Sequence, residues 1–308
     1  MVRAAELTGV QVVWDLMHFG WPDDVDPFAP SFPSRFARWA GAFARWLGQE
    51  SSRTPMFAPI NEMSFLAWAG GDVRCMNPFD AARGVELKAQ LVRATIEGID
   101  AIRAVCPSAR FLQPEPIINI APRPEQPKTW RRVASDNLLQ YQAWDMLRGD
   151  VWPSLGGGPA YLDVIGVNFY PDNQFTLDGE TIPLGDPRYV PLSSMLEEVW
   201  ERYRRPMIVS ETGSEGDHRA PWLRYVAEEC AIAMRAGCEL HGITLYPVVG
   251  HPGWLDDRHC ANGLWDYADE RGERAIDEPL RAEIVRQRPA LLAARSAILD
   301  NAPMAAEG

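Results

Sequence analysis

The sequence predicts an α/β fold built on a parallel sheet with helices on both faces. Along almost the whole chain of 308 residues, short apolar or β-branched runs alternate with longer stretches of helical spacing. The runs are apolar on both faces, as in LDVIGVNF over 162–169. A strand that buries both faces belongs to a parallel sheet between helices. A third observation, the collection of polar residues just past the strands, selects a closed β/α barrel over an open sheet.

The elements follow in order. Val10–Leu16 is the first strand, and a Pro/Asp-rich loop spans 20–33. Ser34 is placed to cap a helix in which Phe36, Trp39, Phe43, Trp46 and Leu47 recur at three- and four-residue spacing. This aromatic stripe reads as a packing face rather than a sugar-binding surface. Thr54–Ile60 is a second strand, and Asp80–Val105 a long helix ended by Cys106-Pro107. Arg110–Gln113 is a third strand, followed by a helix over Thr129–Leu147. Tyr161–Phe169 is the fourth strand and Leu192–Tyr203 the next helix. Met207–Ser210 is the fifth strand, and Ala220–Ala236 a helix with Gly237 as its C-cap. Gly242–Tyr246 is the sixth strand, and Pro279–Leu299 closes the fold as a helix. One domain over 1–299 and a disordered tail over 300–308 result.

An open, nucleotide-binding sheet would carry a Gly-rich turn after its first strand. The chain has no GxGxxG and no GxxxxGK[ST], and its LGGGP segment precedes a strand instead of following one. The composition, 46% hydrophobic and 23% charged, is that of a globular protein. The net charge of -12 argues against nucleic acid and anionic membrane surfaces, and fits a small neutral ligand. No apolar run is long enough to span a bilayer. Five cysteines with no CxxC read as thiols of a reducing compartment, which places the chain in the cytoplasm.

Two segments carry the chemistry. FAPINEM (57–63) and PMIVSETG (206–213) each place a glutamate, Glu62 and Glu211, directly after an apolar strand. A carboxylate there is costly to bury unless it is paired or functional. Two glutamates on separate strands, facing each other across a barrel mouth, are what glycoside hydrolysis needs. One carboxylic acid protonates the leaving oxygen while the other carboxylate attacks the anomeric carbon. Glu115, in QPEP, reads instead as a loop acid beside prolines or at most a rim contact. His251 and His259 with Asp256 and Asp257 match no zinc spacing and read as a polar loop. A Ser/His/Asp hydrolase would want a Gly-x-Ser-x-Gly elbow, and none is present.

These motifs resemble the family 1 β-glycosidases, the TIM-barrel group of β-glucosidases, β-galactosidases and 6-phospho-β-glycosidases. In that family an Asn-Glu pair ends strand four and supplies a sugar contact and the acid/base; here it is Asn61-Glu62. A Thr-Glu-Asn-Gly segment ends strand seven with the nucleophile; here it is Ser-Glu-Thr-Gly with Glu211. DVIGVNFY (163–170) resembles the family's strand six, Asp-Phe-Ile-Gly-Ile-Asn-Tyr-Tyr, which implies that Asn168 is a binding residue and Tyr170 the partner of the nucleophile. LMHFGWP (16–22) resembles the end of strand three, where a His contacts the sugar; His18 reads equally as that contact or as an ordinary polar side chain. Thr244–Tyr246 resembles strand eight, with Tyr246 as sugar platform, and Trp254 is a second platform or loop packing. The resemblance implies a retaining (β/α)8-barrel glycosidase acting on a small saccharide or β-glycoside, without metal or cofactor. Glu62 is then expected to hold its proton more tightly than Glu211.

The departures are Met63 for the family's Pro, Thr212 for its Asn, and a strand-eight loop without the usual acid–Trp grip. By the family register the first strand is strand three, so Met1–Gly9 is the tail of helix two and strands one and two are missing. The strand-two Arg and strand-one Gln of the family go with them. The competing reading is a degenerate barrel that binds saccharide or a partner without turnover.

Overall fold

The computed structural model describes residues 1–122, 125, 129–254 and 256–301. In chain order the elements are α1 (Val2–Thr8), β1 (Val13–Asp15), α2 (Phe32–Glu50), β2 (Met56–Ala58), α3 (Met63–Gly71), α4 (Gly84–Arg103), β3 (Arg110–Pro116), β4 (Asn119–Ala121), α5 (Trp130–Leu138), α6 (Gln142–Arg148), β5 (Val164–Asn168), β6 (Gln174–Thr176), α7 (Leu192–Tyr203), β7 (Met207–Thr212), α8 (Arg219–Arg235), β8 (Leu240–Leu245), β9 (Trp265–Ala268), β10 (Arg274–Ile276) and α9 (Glu278–Asn301). They form two compact units, Met1–Pro116 with Ala134–Gly166, and Ile117–Val133 with the chain from Val167. No helix among the described residues is long and apolar enough to cross a membrane.

In the first unit β1 pairs in parallel with β2, Val13 opposite Met56, and β2 with β3, Met56 opposite Arg110. Asp163, just before β5, grips the start of β3: its carboxylate accepts from the Arg110 guanidinium at 2.6 and 2.8 Å and from the Phe111 amide at 3.1 Å. The core gathers Phe36, Phe57, Leu91, Ile99, Phe111 and Met146 between these strands and the helices α2, α4 and α6. Phe57 has no exposed surface and stacks on Phe111 at 6.2 Å between centroids.

In the second unit the end of β5 lies beside β7, with the Phe169 amide on the Glu211 carbonyl at 2.9 Å. Strand β7 pairs in parallel with β8, Met207 opposite Leu240, with register shifts on the way to Thr212 opposite Leu245. Two small sheets accompany it, β4 parallel to β6 and β9 antiparallel to β10.

Helix α7 has the limits read from the sequence, and Gly237 sits past α8 with φ 96°, a left-handed turn that glycine adopts without steric cost. Other boundaries move. Helix α2 starts at Phe32, not after Ser34, because Pro33 fits a first turn whose N–H groups need no partner. The Ser34 hydroxyl instead donates back to the Ser31 carbonyl at 3.0 Å. The stripe on α2 is only partly a packing face. Phe36, Ala40, Ala44 and Leu47 are buried, while Trp39 and Trp46 stay 47% and 45% exposed on either side of Phe43.

The helix expected from Asp80 begins at Gly84, where the Asp72 carboxylate accepts the Gly84 amide at 2.8 Å. The helix expected over Thr129–Leu147 is broken by a 3-10 turn at Leu139–Tyr141. Helix α3 and the strands β4, β6, β9 and β10 were not foreseen. Helix α9 runs to Asn301, past the expected start of a tail at 300, and residues 302–308 lie outside the described residues.

Candidate active site

In the first unit three strand ends hold one short turn. Asn61 and Glu62 follow β2 and are almost wholly buried, at 2% and 8% exposure. The Asn61 amide donates to the Met17 carbonyl beyond β1, and the Glu62 amide to the Pro114 carbonyl of β3, both at 3.0 Å. Glu62 has φ 47°, a left-handed conformation that costs a non-glycine residue roughly 1–2 kcal/mol and persists only where its surroundings impose it. Its carbonyl then accepts the Leu66 amide at 2.9 Å, so the turn at Glu62 is also the start of α3. His18, past β1, is partly buried, with Nδ1 at 2.7 Å from the Asp15 carboxylate. A carboxylate on one ring nitrogen fixes the orientation of the imidazole.

Glu115 is not the loop acid read from the sequence. It lies inside β3, fully buried, and its carboxylate accepts the Ser64 amide at 3.0 and 3.3 Å. Burial pushes the carboxyl up to about 7; the Lys88 ammonium and the Ser64 and Met63 donors hold it from going further. Burial in turn pulls Lys88 down, against the pull of Glu115 and Asp72, and its Nζ donates to Gln142 at 3.0 Å.

In the second unit Glu211, partly buried near the end of β7, accepts the Tyr170 hydroxyl at 2.8 Å. A hydrogen bond to an ionised carboxylate is among the stronger kinds, and it fixes the direction of that carboxylate. Thr212, where the family motif has Asn, is fully buried. Its Oγ1 donates to the Phe169 carbonyl at 2.7 Å and accepts the Trp222 indole N–H at 2.9 Å. That hydroxyl ties β7 to the end of β5 and to α8. Gly213 completes the motif for a steric reason, since a Cβ there would stand 2.0 Å from the Tyr246 carbonyl oxygen.

The same unit gathers a line of rings. Tyr170 meets Tyr246 edge-on at 6.5 Å, Tyr246 meets His251 at 5.6 Å, and His251 meets Trp254 at 6.1 Å. Trp254 is 59% exposed and offers a face to solvent. Asn168, expected among the binding residues, has no exposed surface; its Oδ1 accepts the Ser210 hydroxyl at 2.6 Å, which braces β5 against β7. His251 and His259 stand apart in partners, one on the Pro252 carbonyl and the other on Asp266. Among the described residues no group of three or more His, Cys, Asp or Glu is arranged to hold a metal ion.

No family model and no curated protein matches the sequence. Solved structures do match in fold. The β-glucosidase from Thermotoga maritima in complex with glucoimidazole superposes with a TM-score of 0.77 at 14% identity, covering 93% of this chain and 76% of that one. The β-glycosidase from the hyperthermophile Thermosphaera aggregans gives 0.73 at 15% identity, over 96% of this chain and 72% of that one. A family 1 β-glucosidase from Thermotoga maritima with isofagomine lactam gives 0.75 at 14% identity, over 93% and 76%. The chain shares the TIM-barrel fold of these solved structures. In a TIM barrel the C-terminal ends of the parallel strands carry the reactive groups, and Asn61, Glu62 and Glu211 stand at such ends.

Three residues outside the candidates named for catalysis or binding take part in these clusters. Asp15 holds His18, a partnership that its i,i+3 spacing at a strand end signals only weakly. His251 joins the ring line, which the aromatic residues on both sides of it could have suggested. Glu115 touches Ser64 across 51 positions of sequence, and no local pattern announces such a contact.

Proposed function

We propose that this chain is a retaining β-glycosidase with Glu211 as nucleophile and Glu62 as general acid/base. The observation that carries the reading is the Tyr170 hydroxyl on the Glu211 carboxylate at 2.8 Å, at a strand end of a fold shared with β-glucosidases. The hydrogen bond aims the Glu211 carboxylate. A Glu211 oxygen attacks the anomeric carbon, and the bond from that carbon to the leaving oxygen breaks as the Glu62 carboxylic acid gives its proton to that oxygen. The Glu62 carboxylate next takes a proton from water, whose oxygen attacks the glycosyl-enzyme and releases Glu211. Retention by this route calls for carboxyl groups roughly 5 Å apart, against about 6.5 Å or more for inversion.

The remaining residues serve the substrate. Asn61 and His18 offer hydrogen bonds to sugar hydroxyls, and the Asp15 carboxylate keeps the His18 ring in place for that contact. Tyr246 and Trp254 offer apolar ring faces, on which the C–H face of a sugar stacks while its hydroxyls stay solvated. Asn168 acts at one remove, through the Ser210 hydroxyl it holds beside Glu211. The scheme uses no metal and no cofactor.

The test is turnover of 4-nitrophenyl β-glycosides by the chain and by Glu211→Ala. Turnover that falls to background in the variant supports the assignment. Turnover that survives the substitution removes Glu211 from the reaction, and saccharide binding with no turnover at all points to a binding barrel.

A further inference from the structure

We infer that Glu115 is a positioning residue for the general acid/base: its buried carboxylate holds the left-handed turn from which Glu62 presents its own carboxyl. The inference rests on the reading of Glu62 as acid/base given above.

The argument starts from the backbone of Glu62. At φ 47° the residue sits in a region that a glutamate leaves when nothing holds it there. Two adjacent residues of β3 hold it. The Pro114 carbonyl takes the Glu62 amide at 3.0 Å, and the Glu115 carboxylate takes the Ser64 amide at 3.0 and 3.3 Å. Both donors lie at the N-terminal end of α3, on its cap residue and in its first turn, where helix geometry leaves amides without an internal acceptor. A serine, threonine or aspartate at the cap position ordinarily accepts one of them. Here the cap position is Glu62 itself, and no capping bond from its side chain to the helix is formed. Glu115 supplies the acceptor from another strand.

The surroundings agree with a built device. Glu115 has no exposed surface, and a fully buried carboxyl is retained only against a substantial desolvation cost. Its partners are fixed in turn: Lys88 lies buried beside it and is tied to Gln142 of α6. Strand β3, helix α4 and helix α6 thus converge on one carboxylate, and that carboxylate acts on one turn.

Leaving-group dependence separates positioning from simple stability. Protonation of the leaving oxygen matters for a poor leaving group such as methoxide and hardly at all for 2,4-dinitrophenolate. The experiment measures kcat/KM of the wild type, Glu115→Ala and Glu115→Gln on a methyl and a 2,4-dinitrophenyl β-glycoside of the same sugar. General acid catalysis contributes about 10²–10⁴-fold, so misplacing Glu62 in Glu115→Ala is expected to cost about 30-fold or more on the methyl glycoside and less than about 3-fold on the dinitrophenyl glycoside. Glu115→Gln keeps one acceptor oxygen and is expected to restore most of the loss. Should Glu115→Ala fail to fold, Glu115→Gln carries the test alone, with a loss of about 5-fold confined to the methyl glycoside.

Equal losses on both substrates, or no loss on either, overturn the inference and leave Glu115 a structural residue. A wild type inactive on both substrates overturns instead the reading of Glu62 on which the inference stands.

Discussion

Replacing Glu115 by Gln should remove a pH dependence of stability that the buried carboxyl imposes between pH 5 and 8. The group titrates at about 7 in the folded chain, against 4.5 for a free glutamate. Its folded value is raised, so the native state binds the proton more tightly than the unfolded state does. The stabilisation is therefore complete below about pH 4.5 and is lost as the pH rises through 7. Between pH 5 and 8 that linkage amounts to about 2.5 kcal/mol. Carboxylates pulled in the other direction, such as Asp186 and Glu283 at about 2, lose their contribution only below the ordinary carboxylate range, outside this window. Groups remote from residue 115 are common to both proteins and cancel in the difference. The assay is urea unfolding of wild type and Glu115→Gln at half-unit steps from pH 5 to 8, with the slope m held common. The unfolding free energy of the wild type minus that of the variant should fall by about 2–3 kcal/mol as the pH rises. Parallel profiles, or a wild type that gains on the variant at high pH, would refute the reasoning about Glu115.

Other outcomes follow from single contacts. Tyr170→Phe deletes the hydroxyl on Glu211; a hydrogen bond to a charged group contributes about 1.5–3 kcal/mol, so kcat should fall roughly 10- to 150-fold, and stability should drop by no more than about that amount. Trp254→Ala removes a ring face that is mostly exposed, so thermal unfolding should shift little while KM for an aryl glycoside rises several-fold. Phe57→Ala empties a fully buried site beside Phe111 and Phe43 and should cost about 3–5 kcal/mol in denaturant unfolding, with activity per folded molecule preserved.

The parts of this molecule that were legible in its sequence are those set by local pattern. The apolar runs marked the parallel strands, and the helical spacing over 192–203 gave α7 to the residue. The two Glu motifs marked strand ends because a glutamate after an apolar run stands out against its surroundings. What escaped notice depends on distant partners. Helix α3 opens on a glutamate in a left-handed turn and draws its cap from Glu115, so it carries none of the usual start signals. Ser34 looked like a cap by type, but Pro33 had already begun the helix. Trp39 and Trp46 fit the helical period, yet α2 buries the smaller Ala40 and Ala44 instead. Asn168 matched a binding motif, and its Oδ1 also takes the Ser210 hydroxyl from the neighbouring strand, a contact that no local pattern announces.

The central claim is that the Glu211 carboxylate forms a covalent bond with the sugar. A 2-deoxy-2-fluoroglycoside with a dinitrophenyl leaving group forms such an adduct and hydrolyses slowly, so the labelled peptide can be isolated and sequenced by mass spectrometry. The account predicts one sugar per chain, on the peptide containing Ser210-Glu211-Thr212, and no label in Glu211→Ala. Label on a different carboxylate, or inactivation with no covalent adduct, would contradict it.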